Sequence, residues 1–145
     1  MIQIVSATPA HVREILLDLR AREEATFGNC PNAEEIILDE IHKSTAAFSG
    51  FIDGKIACLW GIQGGTILSD MAQLWLITTR LVEKQPFIFV RHSQIMTKNL
   101  LKDYSCIYGY VLESNEQSVK WLRWLGCQMV KSEDPSVLKF SLRRA

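Results

Sequence analysis

The stretch that decides the fold runs from Tyr108 to Met129 and reads YGYVLESNEQSVKWLRWLGCQM. It predicts a buried strand, a polar corner, an amphipathic helix and a second strand. Ser114 and Gln117 have the S-x-x-Q spacing of a capping box, in which each side chain satisfies a backbone amide at the start of a helix. Gly126 stands where a helix ends in a left-handed residue, which glycine adopts at low cost. The apolar residues at helical spacing between them are Val119, Leu122 and Leu125, with Trp121 and Trp124 widening the stripe.

A first strand and two helices are predicted before residue 45. The strand covers Ile2 to Val5. Thr8 is a good N-cap, and Pro9 fits the first position of the helix that follows, which the charged run of residues 20–24 closes. Asn32 together with Glu35 predicts the start of the second helix.

The middle of the chain predicts a hairpin, a central strand and a long helix. Asp53 and Gly54 form a two-residue turn signal, because a type I′ turn needs positive φ at both positions. The strands on either side cover Ala46–Ile52 and Lys55–Gln63, and a further strand covers Gln73–Thr79.

After an expected loop, Arg80–Gln85, a long helix is predicted to begin at Pro86. Its expected buried side consists of Phe87, Val90, Ile95, Met96 and Leu100. The remaining strands cover Cys106–Val111, the segment after Gly126, and Val137–Leu142.

Composition narrows the functional classes. The chain has 145 residues, 48% of them hydrophobic, which suits a single domain with a core. Its 16 basic and 16 acidic residues cancel, so the sequence predicts no nucleic-acid partner. It also predicts no membrane span and no signal peptide, and therefore a soluble, cytoplasmic protein. We expect Cys58, Cys106 and Cys127 to be reduced core residues, and we expect no metal site, because neither the four cysteines nor the three histidines have ligand spacing.

The element order βααβββαβαββ resembles that of the GNAT (Gcn5-related N-acetyltransferase) superfamily over essentially the whole chain. The resemblance is carried by the strand, Asn115, helix, Leu-Gly, strand order of the opening stretch. It implies an α/β fold in one domain, residues 1–145, with a twisted, mixed seven-stranded sheet and helices on both faces. More narrowly, the phrases LRAREE, LWLITT and SNEQSVKWLRWLG resemble small GNAT-like proteins of T7-type tailed phages, related to their internal virion or assembly protein.

The resemblance implies a cofactor, acetyl-CoA, threaded between the fourth and fifth strands. Cofactor-binding residues would then be Ile77, Thr78, Thr79, Arg80, Lys84 and Asn115. Arg80 and Lys84 are alternatively two solvated loop charges. Asn115 is alternatively a helix cap.

Two features depart from the pattern of the superfamily. The loop that holds the pyrophosphate is usually R/Q-x-x-G-x-G/A, with glycines that let the backbone approach the phosphates. Here the stretch is TTRLVEKQPFIF, which has no glycine, and Pro86 lacks an amide donor. Active members also often carry a tyrosine four residues before the Leu-Gly glycine, as general acid, and that position is Leu122.

Other residues are weaker catalytic candidates. Tyr110 and Tyr108 share a strand face and are either a packed aromatic pair or a source of the acid. Glu24, among several carboxylates, is a candidate base, or an ordinary surface residue. Tryptophans three apart on one helix are usually core or interface anchors, so an exposed Trp124 would indicate a protein partner.

Two functional hypotheses follow. The first is a binding or assembly component with degenerate acetyl-CoA motifs, acting on a phage or host protein in the host cytoplasm or the virion. The second is an active N-acyltransferase in which an amine attacks the thioester directly. The missing glycines and the missing tyrosine favour the first.

Overall fold

The computed structural model describes residues 1–18, 31–64 and 70–144. Its strands form one seven-stranded sheet in the order β1-β2-β3-β4-β5-β7-β6. The elements are β1 (Ile2–Ser6), α1 (Pro9–Leu16), α2 (Ala33–Lys43), β2 (Ala46–Ile52), β3 (Lys55–Gln63), β4 (Met71–Thr78), α3 (Arg80–Lys84), α4 (Pro86–Asp103), β5 (Cys106–Leu112), α5 (Glu116–Trp124), β6 (Gln128–Lys131) and β7 (Val137–Arg143). The sheet is mixed as predicted, because β4 and β5 are parallel whereas β5–β7 and β6–β7 are antiparallel.

The chain forms two compact units. The first consists of Met1–Gln63 and Leu76–Phe89, and the second of Gly64–Trp75 and Val90–Ala145. The chain passes from one unit to the other three times: after β3, within β4 and within α4.

The hairpin of the first unit has the predicted bounds. Asp53 and Gly54 have φ of 50° and 81°, as a type I′ turn requires. The antiparallel register runs from Ile52↔Lys55 to Ala46↔Ile62, with an irregularity between Gly50 and Phe51. The two-residue turn therefore sets the pairing next to it, and the irregularity shifts the register of the remaining pairs by one residue.

The start of α1 is a capping box with an unusual partner. Thr8 is the N-cap, as predicted, and its Oγ1 accepts from the His11 amide at 3.3 Å. In return, Nδ1 of His11 accepts from the Thr8 amide at 3.2 Å. The fully buried Ser49 hydroxyl lies 2.8 Å from the same nitrogen. Because Nδ1 accepts from an amide, Ser49 is the donor, and the contact ties α1 to β2.

In the second unit, the predicted capping box of α5 is wrong. The N-cap is Asn115, whose Oδ1 accepts from the Ser118 amide at 3.3 Å. The Asn115 amide donates to the Leu112 carbonyl at 2.9 Å, which closes a turn that leaves Ser114 outside the helix. The S-x-x-Q spacing is thus one residue out of register with the helix.

The end of α5 is as predicted. Gly126 has φ of 97°, in the left-handed region. The Cys127 amide donates to the Leu122 carbonyl at 3.1 Å, and the Gly126 amide donates to the Arg123 carbonyl at 3.0 Å. These two bonds define a Schellman motif.

The buried side of α4 differs from the prediction. Phe87 is 88% exposed and Ile95 is 51% exposed, whereas the buried residues of the helix are Ser93 and Thr97. Val90, Met96 and Leu100 are half-buried. The expected apolar stripe was wrong for Phe87 and Ile95, because the helix turns a polar i, i+4 pair inwards.

These buried hydroxyl groups all have partners, which offsets the free-energy cost of taking them out of water. Ser93 donates to the Val90 carbonyl at 2.8 Å and accepts from Nε1 of Trp121 at 3.0 Å. Thr97 donates to the Ser93 carbonyl at 3.0 Å. Trp121 therefore connects α5 to α4 by a side-chain hydrogen bond.

Candidate functional site

The pairing of β4 with β5 covers only part of either strand. The parallel register contains three pairs, Met71↔Cys106, Ala72↔Ile107 and Gln73↔Tyr108. In the second unit, Leu74 and Trp75 continue β4 beyond the last pair, as Gly109 and later residues continue β5. The resemblance predicts that the fourth strand diverges from the fifth. The paired register ends after Gln73↔Tyr108, and a wider separation beyond it stays a prediction.

Gly109 follows the last pair on β5, and its lack of a side chain lets the Leu74 carbonyl and the Phe140 ring approach closely. A Cβ built on it would lie 2.6 Å from the Leu74 carbonyl oxygen and 2.4 Å from Cζ of Phe140. Both distances are shorter than van der Waals contact. The carbonyl of β4 and the ring on β7 therefore occupy the space that a side chain would need.

Three predicted cofactor residues, Ile77, Thr78 and Thr79, lie at the end of β4, and all are buried. The Thr79 hydroxyl lies 3.1 Å from both the Ile56 and Ala57 carbonyls, and its amide donates to Ala57 at 2.9 Å. The Thr79 side chain thus holds the end of β4 to β3, inside the first unit. Any ligand would have to use backbone groups here.

The predicted loop Arg80–Gln85 is wrong, because Arg80–Lys84 forms the short helix α3. Val82 is buried in a cluster with Ile52 and Ala57, to which Leu81 also packs. The segment has no glycine, and its apolar pair anchors it to the first unit as a helical turn. Arg80 and Lys84 are exposed, four residues apart and therefore on the same side of α3.

The end of β4 and the segment that follows it meet only one of two requirements for holding acetyl-CoA. A pantetheine arm needs a strand edge that is not already paired, and β4 leaves the β5 ladder after Gln73. The pyrophosphate needs a stretch whose glycines expose amides, but a glycine-free helix and Pro86 occupy that stretch. The residues present therefore do not fit the diphosphate in the manner that the resemblance implies.

The candidate acids have structural roles in the second unit. The rings of Tyr108 and Tyr110 pack edge to face, with centroids 6.4 Å apart and planes at 88°. The packed aromatic pair is confirmed, while an acid role for Tyr110 stays a prediction. Leu122, at the position of the family tyrosine, is 3% exposed and belongs to the core.

Of the other candidate site residues, Asn115 lies in the part of the chain that the structure describes and Glu24 does not. Asn115 is confirmed as a cap, and its role toward a cofactor arm stays a prediction. Glu24 lies outside the described residues. Within residues 1–18, 31–64 and 70–144, no three His, Cys, Asp or Glu side chains are grouped as metal ligands would be.

The Ser93–Trp121 bond was missed by sequence reasoning. The only signal was the i, i+4 spacing of Ser93 and Thr97, which is typical of an exposed helix face as well. A hydrogen bond between residues 28 positions apart cannot be predicted from such a pattern.

We expect Cys127 to resist alkylation near neutral pH. Burial raises the pKa of its thiol from the ordinary 9.0 to about 11. Since the thiolate is the nucleophile, its fraction at pH 8 falls by about 100-fold relative to an ordinary cysteine. Folding favours the neutral thiol, so this contribution to stability is present below pH 9 and is lost as the pH rises towards 11. Iodoacetamide labelling with peptide mass spectrometry, in buffer and in urea, measures the difference.

A labelling rate of Cys127 equal in buffer and in urea would contradict this expectation. Cys58 is an internal comparison, because its thiol is also half-buried and it lies in the first unit.

Comparisons with solved structures identify the architecture. An acetyltransferase from Thermus thermophilus superimposes with a TM-score of 0.76 at 16% identity, covering 99% of this chain and 97% of that one. The chain has the fold of the GNAT N-acetyltransferases. The ribosomal-protein-S18-alanine N-acetyltransferase from Escherichia coli gives 0.71 at 16% identity, over 99% and 94% of the two chains. The GNAT domain of PAT from S. lividans gives 0.68 at 11% identity, over 99% and 89%.

At these identities the likeness establishes the GNAT-like fold and not the activity. No family model matches the sequence, and no curated protein matches it significantly. Among the helices of the described residues, none is long and apolar enough to cross a membrane.

Proposed function

We propose that this protein is a binding or assembly component built on the GNAT fold, which does not transfer acetyl groups. The observation that carries the proposal is the segment after β4. Where the resemblance implies a glycine-rich phosphate loop, Thr79 is bonded to β3 and Arg80–Lys84 forms a helix whose Val82 is buried.

The position of the general acid supports the same conclusion. Leu122 is buried in α5, and a leucine side chain has no proton to donate to a departing thiolate. Both parts of the family machinery that the sequence lacks are thus replaced by packing residues, which favours a scaffold over a damaged but working enzyme.

A protein partner is part of this proposal. Trp124, at the end of α5, is 55% exposed, and a large exposed aromatic residue is typical of an interface. The narrower likeness to GNAT-like proteins of T7-type phages, carried by LWLITT and SNEQSVKWLRWLG, suggests a phage or host protein as the partner. The site of action would then be the host cytoplasm or the virion.

The alternative is an active acetyl-CoA-dependent N-acyltransferase. One observation favours it, namely that the β4–β5 ladder ends after Gln73↔Tyr108 while β4 continues. This is the feature that the resemblance associates with the pantetheine arm of the cofactor.

Thermal unfolding with acetyl-CoA separates the two. A true ligand at 100 times its dissociation constant adds about 2.7 kcal/mol of stability. For a chain of this size that corresponds to roughly 5–10 °C in Tm. We expect no shift at millimolar acetyl-CoA, with ATP as a control for general polyphosphate binding. A shift with acetyl-CoA, absent with ATP, would overturn the proposal in favour of the enzyme.

A further inference from the structure

One side of the β5–β7–β6 sheet in the second unit leaves several large side chains exposed. Directly opposed residues of antiparallel strands share a sheet face. The register places Tyr110, Lys139 and Val130 in one row across the three strands, and Leu112 beside Val137 in the next. We call this surface the tyrosine face; its residues are Tyr108, Tyr110, Leu112, Val130, Val137 and Lys139.

The tyrosine face exposes large apolar side chains in one patch. Tyr110 is 52% exposed, Leu112 41% and Val130 58%. The ring of Tyr110 packs edge to face against the ring of Tyr108. Exposed aromatic residues beside aliphatic ones are typical of the core of a protein interface.

The charged side chains on the tyrosine face are all basic. Nζ of Lys139 lies 5.0 Å from the centroid of the Tyr108 ring, and Arg143 follows on the same face of β7. Along β5, β6 and β7 the register places no Asp or Glu on this face. The neighbouring carboxylates lie in the turns at one end of the strands, at Glu113, Glu133 and Asp134.

This charge pattern selects among possible occupants. A second copy, paired through the centre of the tyrosine face, would bring the same cationic patch against itself, because a two-fold interface is isologous. A nucleic-acid strand would carry phosphate along the whole face, including the end bordered by the acidic turns. A short acidic segment with apolar side chains meets the cations and the apolar patch without either conflict.

We propose that the tyrosine face binds an acidic, apolar-containing segment of another protein. Carboxylates of that segment pair with Lys139 and Arg143, and its apolar side chains cover Tyr110, Leu112 and Val130. The binding needs no acetyl-CoA, so it stands or falls separately from the question of acetyl transfer.

The test uses the full chain and a fluorescent random copolymer of glutamate and tyrosine as the probe, followed by anisotropy. We expect Lys139→Glu to weaken binding by at least about tenfold, because it places like charges together. We expect Tyr110→Ala to weaken it as well. The matched control is Lys131→Glu, the same substitution on β6, where Lys131 is exposed and the register places it on the opposite face. A copolymer of lysine and tyrosine is the control probe.

Any of the following results would overturn the proposal: equal loss of binding in Lys131→Glu and Lys139→Glu, tighter binding of single-stranded DNA than of the acidic copolymer, or self-association that Tyr110→Ala abolishes. Amide NMR shifts of the unsubstituted protein, titrated with the same probe, keep the test decisive if a variant is unstable. Shifts concentrated at Tyr110, Lys139 and Val130 support the proposal, and shifts confined to other surfaces overturn it.

Discussion

We expect Gly109→Ala to lower the free energy of unfolding by about 3 kcal/mol, the upper part of the range for overpacking a core. A methyl group at this position would lie 2.6 Å from the Leu74 carbonyl oxygen and 2.4 Å from the ring of Phe140. The effect is large because one of these two atoms belongs to the backbone. A ring can rotate or shift, but the carbonyl can move only if β4 moves with it.

The matched control is Gly50→Ala, in β2 of the first unit. There the added methyl group would meet Sγ of Cys58 at 3.0 Å and a ring carbon of Trp60 at 3.3 Å, both side-chain atoms. Alanine in a strand also gains about 0.5–1 kcal/mol over glycine by restricting the unfolded chain. We therefore expect a cost below about 1 kcal/mol at Gly50.

Urea unfolding of Gly109→Ala, Phe140→Leu and the double variant separates the two contacts. We expect the double variant to recover part of the loss, because a smaller side chain removes the ring contact and leaves the carbonyl contact. Equal stability of Gly109→Ala and the unsubstituted protein would show that β4 and β5 are not held at this close approach.

The sequence predicted elements whose cause is local. The predicted bounds of the hairpin of β2 and β3 match the observed ones, since Asp53 and Gly54 determine where one strand ends and the next begins. The Thr8 cap and the Gly126 stop were likewise correct, because each depends on a few neighbouring residues.

The predictions that failed depended on distant contacts. Residues 80–85 include three charged side chains, as a surface loop often does, but Arg80–Lys84 forms a helix in which Val82 packs against Ile52 and Ala57. Ser114 has the sequence of a cap, but the turn from Leu112 makes Asn115 the cap. The spacing of residues within a short segment does not show these contacts.

The candidate site was predicted in outline only. The resemblance located the end of β4, and the ladder does stop after Gln73. It did not reveal that the Thr79 hydroxyl would be bonded to β3, because that bond joins residues 22 and 23 positions apart. The resemblance thus indicates which positions lie near the site, but it does not show whether their side chains are free to contact a ligand.

The second large effect is expected at Leu122, the position of the missing tyrosine. We expect Leu122→Ala to lower the free energy of unfolding by about 3 kcal/mol, within the usual range for a buried leucine. The side chain is 3% exposed, and with Val119 it forms the buried side of α5. Trp124→Ala on the same helix is the control, because Trp124 is 55% exposed and its removal leaves no buried cavity. We expect it to cost less than about 1 kcal/mol although the deleted side chain is larger.

Leu122→Tyr then asks whether the position can still accept the family residue. Tyrosine must place a larger ring and a hydroxyl group where leucine is packed, so we expect a loss of about 1–3 kcal/mol. If Leu122 is a core residue, both Leu122 variants are less stable by calorimetry and neither gains acetyl transfer to a free amine. A Leu122→Tyr protein that is as stable as the original and transfers acetyl groups would show instead that a catalytic position has lost only its acid. That result would reverse the preference between the two functions, because the enzyme would then be one substitution away.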